Sequence, residues 1–167
     1  LGVTPHDMVR ILKRLKKQLQ HTRKMEELFK KTTPKKQLDH LFTEAMSCAH
    51  NLISCDRTSL WIVDHDAKEL WTRIAERIEP LRIPINKGVV GWAATQGEVV
   101  NVKDAYKDPR FNAAIDKKSG YRTCHILSVP IRSPSNNKVL GVIQAINKMD
   151  GDTISTDGFN GTDEEGL

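Results

Sequence analysis

The sequence predicts an α+β fold, a mainly antiparallel β-sheet with helices packed on one face and a lid over the other. Three observations lead there. Leu38, Leu41, Phe42, Ala45, Met46, Ala49, Leu52 and Ile53 recur at helical spacing and give one broad apolar face, suited to a helix that covers a sheet. Short runs dense in β-formers follow, joined by polar turns, as in antiparallel hairpins. A polar stretch from Lys103 to Thr123 then interrupts the chain before a last hairpin. Helices first and paired strands afterwards is the order of an α+β domain. The long excursion is left to cover the sheet's free face, which is where a small ligand would be enclosed.

With 167 residues and 38% hydrophobic content, the chain can bury one core and carry an appendage. It contains no run of about 18 apolar residues for a membrane span. Its first residues are polar and charged, unlike a secretory signal. Cys48, Cys55 and Cys124 lack the close pairing of a zinc site or disulfide framework, so a reducing cytosol and a cytoplasmic location are expected. The start at Leu1 and the stop at Gly166-Leu167, just after a helix-like Asp163-Glu164-Glu165, read as a piece of a longer protein.

The elements follow in order. Residues 1–33 are expected to form a separate helix. From His6 to Lys31 there is neither Gly nor Pro, and Met8, Ile11, Leu15, Thr22, Met25 and Phe29 fall on a heptad-like seam. Such a helix packs against a partner helix or a second copy, so a homodimer is its natural use. Much of the net charge of +5 lies here, without interleaved aromatics or a reader motif, which argues against nucleic acid. Thr33 can cap and Pro34 can open the second helix, where the main domain, 34–167, begins. Thr58 to Val63 and Glu69 to Ala75 make a hairpin around the turn 64–68, and Arg82 to Ile85 a third strand. Gly88 to Gly97 is a short helix bounded by glycines, with Gly88 and Gly91 read as close packing of helix on sheet. Val99 to Val102 is a brief strand, and Ile126 to Ile131 with Val139 to Ile146 form the closing hairpin.

The six histidines form no ligand-spaced set, and no nucleophile with a base, carboxylate pair or phosphate loop is present, so neither catalytic nor metal-binding residues are assigned. Within the excursion, Asp108-Pro109 followed by Arg110 to Lys118 reads as a turn opening a short helix, whose first amides could receive a phosphate. Asp116, Ser119 and Thr123 could hydrogen-bond a heterocycle. From spacing alone, a solvated loop is an equal reading.

The stretches CDRTSLWIVD (55–64), RIPINKGVVGWAATQGEVVNVKDAY (82–106), DPRFNAAIDKKSGYRT (108–123), ILSVPI (126–131) and VLGVIQAINK (139–148) resemble the GAF domains of cyclic-nucleotide phosphodiesterases and of related adenylyl cyclases. The resemblance includes a signature here present as Asn147, Lys148, Phe159, Asp163 and Glu164. It implies a structural bridge from Lys148 to Asp163. It also implies a cyclic nucleotide, cAMP or cGMP, as regulatory ligand, with a catalytic domain in the parent chain as the partner under control. The implied contacts are Ser59 on the first strand, Ala75 and Glu76 at the end of the second, and Val89 and Val90 on the short helix. The lid supplies Asn112, Ala113, Ala114, Asp116, Ser119 and Thr123, and the last strand Gln144. Ala75 stands where cGMP-binding members can place an aromatic ring, and Gln144 where they can have an acid; Gln can serve either base. Three other classes are weighed: a ligand-free dimerisation module, a bilin sensor using Cys124-His125, and a redox enzyme using Cys48 and Cys55. In the bilin reading the cysteine falls at a strand entrance rather than on a helix. In the redox reading Cys48 and Cys55 bracket a helix end behind the sheet.

Overall fold

Proline's fixed φ suits a first helical turn, and Pro34 opens α1 (Pro34–Ile53). The computed structural model describes residues 34–75 and 81–167; the expected helix at 1–33 and its dimer seam lie outside them, as does Glu76. The chain separates into two units, 1–42 and 43–167, and the second holds the whole sheet. Near the end of α1, Ile53 is buried at 1% exposure, whereas Leu52, expected on the same apolar face, is 66% exposed. One residue is about 100° of helical turn, enough to carry it off the buried stripe.

After a left-handed Ser54 the chain enters β1 (Cys55–Asp64), turns through 65–68 and returns as β2 (Glu69–Ala75). Then come β3 (Arg82–Pro84), α2 (Gly88–Gln96), β4 (Val100–Val102) and a 3₁₀ turn (Ala105–Lys107). After the short α3 (Ala114–Ser119), the chain forms β5 (Ile126–Arg132), β6 (Val139–Asp150), β7 (Thr153–Ile154) and α4 (Gly161–Gly166). Six strands pair antiparallel in the order β3-β2-β1-β6-β5-β4, and β7 pairs with the end of β6.

Side chains alternate along a strand, so the sheet serves two cores. On one face Trp61, Leu70, Ile126 and Val142 pack against Val89, Val90 and Ala93 of α2. On the other, Leu127 and Ala145 meet Ile53, Cys55 and Phe159. Leu70, Leu127 and Val142 are each at 0% exposure; full burial of such a side chain contributes about 1.5–3 kcal/mol. The short helix α2 therefore covers the lid side of the sheet, while Ile53 at the end of α1 and the segment before α4 back the opposite side.

Candidate functional site

The floor of the site is a row fixed by strand register. Ser59 is the cross-strand partner of both Ala75 and Gln144, and Gln144 is in turn the partner of Ser128. Register partners share a face, so polar groups from three adjacent strands lie side by side among apolar neighbours. Ser59, Gln144 and Ser128 are all buried, at 7%, 8% and 0% exposure. Gln144 Nε2 donates to Ser128 Oγ at 3.1 Å, and Trp61 Nε1 donates to Ser59 Oγ at 3.1 Å. Val89 and Val90 are buried in the core on this same face.

The lid is the excursion 103–125, closed at its base where Ala105 N donates to Cys124 O at 2.8 Å. Asp104 caps the 3₁₀ turn by accepting from Tyr106 N at 3.1 Å. Asp108 receives Arg110 Nε at 2.9 Å and Nη2 at 2.6 Å, and this guanidinium holds the Asp108 carboxyl below the usual carboxylate range. Arg110 also stands over the Trp92 ring, 4.9 Å from its centroid, and Phe111 packs against the core beneath α2.

Asp116 is the best-held group of the lid. At 5% exposure its carboxylate accepts from Thr123 N at 2.7 Å, Thr123 Oγ1 at 2.9 Å and Tyr106 Oη at 3.1 Å. Entrance, helix and exit of the lid are thus clasped at one carboxylate. Burial, and then the bond to Asp116, raise the Tyr106 hydroxyl above the ordinary phenol value. The Arg122 guanidinium covers the same ring at 3.7 Å.

The lid's exit is tied to the sheet by Asn147. It has a left-handed φ of 56°, which Asn tolerates better than most residues, and it is at 0% exposure. Its Oδ1 accepts from Cys124 N at 2.7 Å and His125 N at 3.2 Å, and its Nδ2 donates to Arg122 O and Tyr121 Oη, each at 2.9 Å. Tyr121 Oη donates to Asp56, and Arg57 stacks on its ring at 3.6 Å. Burial and the Asp56 carboxylate push the Tyr121 hydroxyl well above the phenol range. The next residue, Lys148, donates from Nζ to Asp163 Oδ1 and to Ile53 O, each at 2.6 Å. Asp163 also takes part in a reciprocal capping box with Asn160 at the start of α4.

The expected contacts therefore divide. Ser59, Gln144, Val89 and Val90 are buried on the lid-side face of the sheet, and Asp116 and Thr123 are buried in the lid. Ala75 is paired with Ser59 by register, while Ala113 is half-buried. Asn112, Ala114 and Ser119 are exposed. The helix expected to open after Asp108-Pro109 and to offer its first amides to a phosphate begins only at Ala114, and the amides of Arg110 and Ala114 are taken by Asp108 Oδ1 at 2.9 Å and Asn112 Oδ1 at 3.0 Å. Ser128, Tyr106 and Tyr121 were not singled out by sequence reasoning. Each is an ordinary residue in the sequence and gains its place only through register or a bond across the lid.

The family model for the GAF domain matches residues 37–167, and the chain belongs to that family. A GAF domain is a regulatory module rather than a catalytic one. The chain is 35% identical over 128 residues to a probable 3′,5′-cyclic phosphodiesterase, pde-5, of Caenorhabditis elegans, covering 68% of this chain and 17% of that protein. Among solved structures it resembles the GAF domain of a phosphoenolpyruvate-protein phosphotransferase from Coxiella burnetii, with a TM-score of 0.66 and 18% identity over 89% of this chain and 84% of that one. It also resembles free methionine-R-sulfoxide reductase from Neisseria meningitidis, with a TM-score of 0.54 and 20% identity over 78% of this chain and 77% of that one. These two structural likenesses speak for the fold alone. Cys55 lies in the core on the face opposite the lid, and Cys48 is exposed on α1. Among the described residues no cluster of His, Cys, Asp or Glu could hold a metal ion, and no helix is long and apolar enough to cross a membrane.

Proposed function

We propose that this domain binds a cyclic nucleotide, cAMP or cGMP, between the sheet and the lid, and that the bound state controls a catalytic domain elsewhere in the parent chain. The observation that carries the reading is the buried row Ser59-Gln144-Ser128 on the lid-side face. Polar side chains in an apolar floor are costly unless partnered, and hydroxyls beside an amide are the donors and acceptors that a base edge needs. Asp116 and Thr123 close over the site and, with Glu76, Ala113 and the exposed Asn112, Ala114 and Ser119, make up the remaining contacts. The likeness to a probable cyclic phosphodiesterase supports the ligand class, though the chain spans only 17% of that protein. Ligand acts by binding one lid state more tightly than the other. Residues 1–33 pair two copies in a homodimer, and the location is cytoplasmic.

A ligand-free module that only links chains is the second reading. It draws on Asp116, whose carboxylate already accepts three bonds from the chain's own donors. Titration calorimetry with each nucleotide separates the two. Gln144→Leu is expected to weaken the preferred nucleotide about tenfold or more, by leaving its base edge unpaired. Equal affinity in wild type and variant would overturn the assignment of Gln144 to the site.

A further inference from the structure

Lys103 and His125 stand at the two roots of the lid. Val102 and Ile126 are cross-strand partners, and Lys103 and His125 are the next residues outward on their strands. Val102 and Ile126 lie in the core beneath the lid, and strand alternation turns their neighbours to the opposite face. There both meet the segment that leads into α4. Lys103 Nζ donates to the carbonyl of Asp157 at 3.1 Å and to that of Phe159. The His125 ring stands edge-on to Phe159, with centroids 6.5 Å apart and planes at 86°. Gly158, at φ +68°, passes so close that a Cβ there would lie 3.0 Å from His125 Cδ2 and 3.2 Å from Lys103 Cδ. Asn101, on the same strand, adds bonds from Nδ2 to Phe159 O at 3.0 Å and to Glu164 Oε1 at 2.7 Å. His125 is 5% exposed and its Nδ1 is buried without a hydrogen-bond partner, so packing against residues 158 and 159 helps to set the ring's place.

We propose that Lys103 and His125 act as positioning residues that grip the 157–159 strap and pass the state of the lid through the sheet to α4. The two roots cannot shift while the strap stays still, because one is bonded to its carbonyls and the other is wedged against its glycine. This deepens the sensor reading and rests on it for the signal that closes the lid; the grip itself is a property of the ligand-free chain.

Amide hydrogen exchange on the ligand-free protein tests it. Tyr106→Phe removes one bond of the Asp116 clasp and is expected to speed exchange about threefold or more in both the lid helix, 114–119, and in α4, 161–166. Adding Lys103→Met should leave the lid response and abolish the α4 response, while Lys103→Arg should restore it. An α4 that ignores Tyr106→Phe, or that responds equally with and without Lys103, overturns the proposal. Should Lys103→Met fail to fold, Gly158→Ala works from the other end. It should speed exchange in 114–119, and an unchanged lid there would equally sink the idea. Because no nucleotide is added, failure of nucleotide binding and failure of this coupling are read separately.

Discussion

Asn147 and Lys148 show how much one pair of adjacent side chains can organise. The first holds four groups of the lid's exit, and the second joins the last carbonyl of α1 to the cap of α4. The Lys148-Asp163 pair is well buried, with side chains 19% and 7% exposed. Lys148→Met would leave a buried carboxylate short of its counter-charge, at a cost of about 3 kcal/mol, read in urea denaturation as a lower midpoint with unchanged slope. His125 makes a prediction in pH. Burial first, and then the charge of Lys103, lower its pKa from the ordinary 6.5. The unfolded chain thus takes up the proton more readily than the folded one. The stability this group contributes is full above the unfolded value and falls as pH drops through it toward the lower folded one. The urea midpoint should decline as pH falls below the ordinary histidine value of 6.5, and His125→Gln should decline less. An identical decline in both would assign the effect to other groups. At this scale the sequence is legible only where a signature marks it. The resemblance pointed to Lys148 and Asp163, whereas Ser128 and Tyr106 carry no pattern, because their roles depend on a strand register and a lid closure.

At the scale of elements, periodicity locates the strands well and their ends poorly. The apolar run from Val139 suggests a strand ending at Ile146, yet β6 continues to Asp150. The left-handed Asn147 interrupts the pattern, and Met149 N recovers a bond to Ser54 O at 2.7 Å. Gly91 is a second instance. Read from the sequence as close packing of helix on sheet, it is required instead by the turn before α2. A Cβ at this position would lie 2.6 Å from Ile85 O and 2.9 Å from Asn86 C, both backbone atoms that yield little. Gly91→Ala should cost about 1–3 kcal/mol, measured as a reduced melting temperature. Gly88 has open space around its missing Cβ, but its φ of +74° demands the same residue type. In the lid, Tyr106→Phe should cost about 1 kcal/mol at most, since one bond is lost from a partly exposed clasp. A loss several times larger would mean that Tyr106 holds more than Asp116.

At the scale of the molecule, the hairpins β1-β2 and β5-β6 follow from local sequence, but the β1-β6 pairing that joins them does not. That contact brings Ser59 beside Gln144, 85 residues further along the chain, and makes the floor of the site. Nothing in the spacing of the sequence marks it, since register between distant strands is decided by which faces can be buried together. The same pairing sets the two cores back to back, with the lid and α2 in front and the strap behind. The central claim is that the covered front face takes a cyclic nucleotide, and equilibrium titration of the purified chain with cAMP and with cGMP tests it most directly. Saturable binding of one nucleotide, weakened by Gln144→Leu with the fold intact, is the predicted result. Absence of binding to both by a folded protein would contradict it.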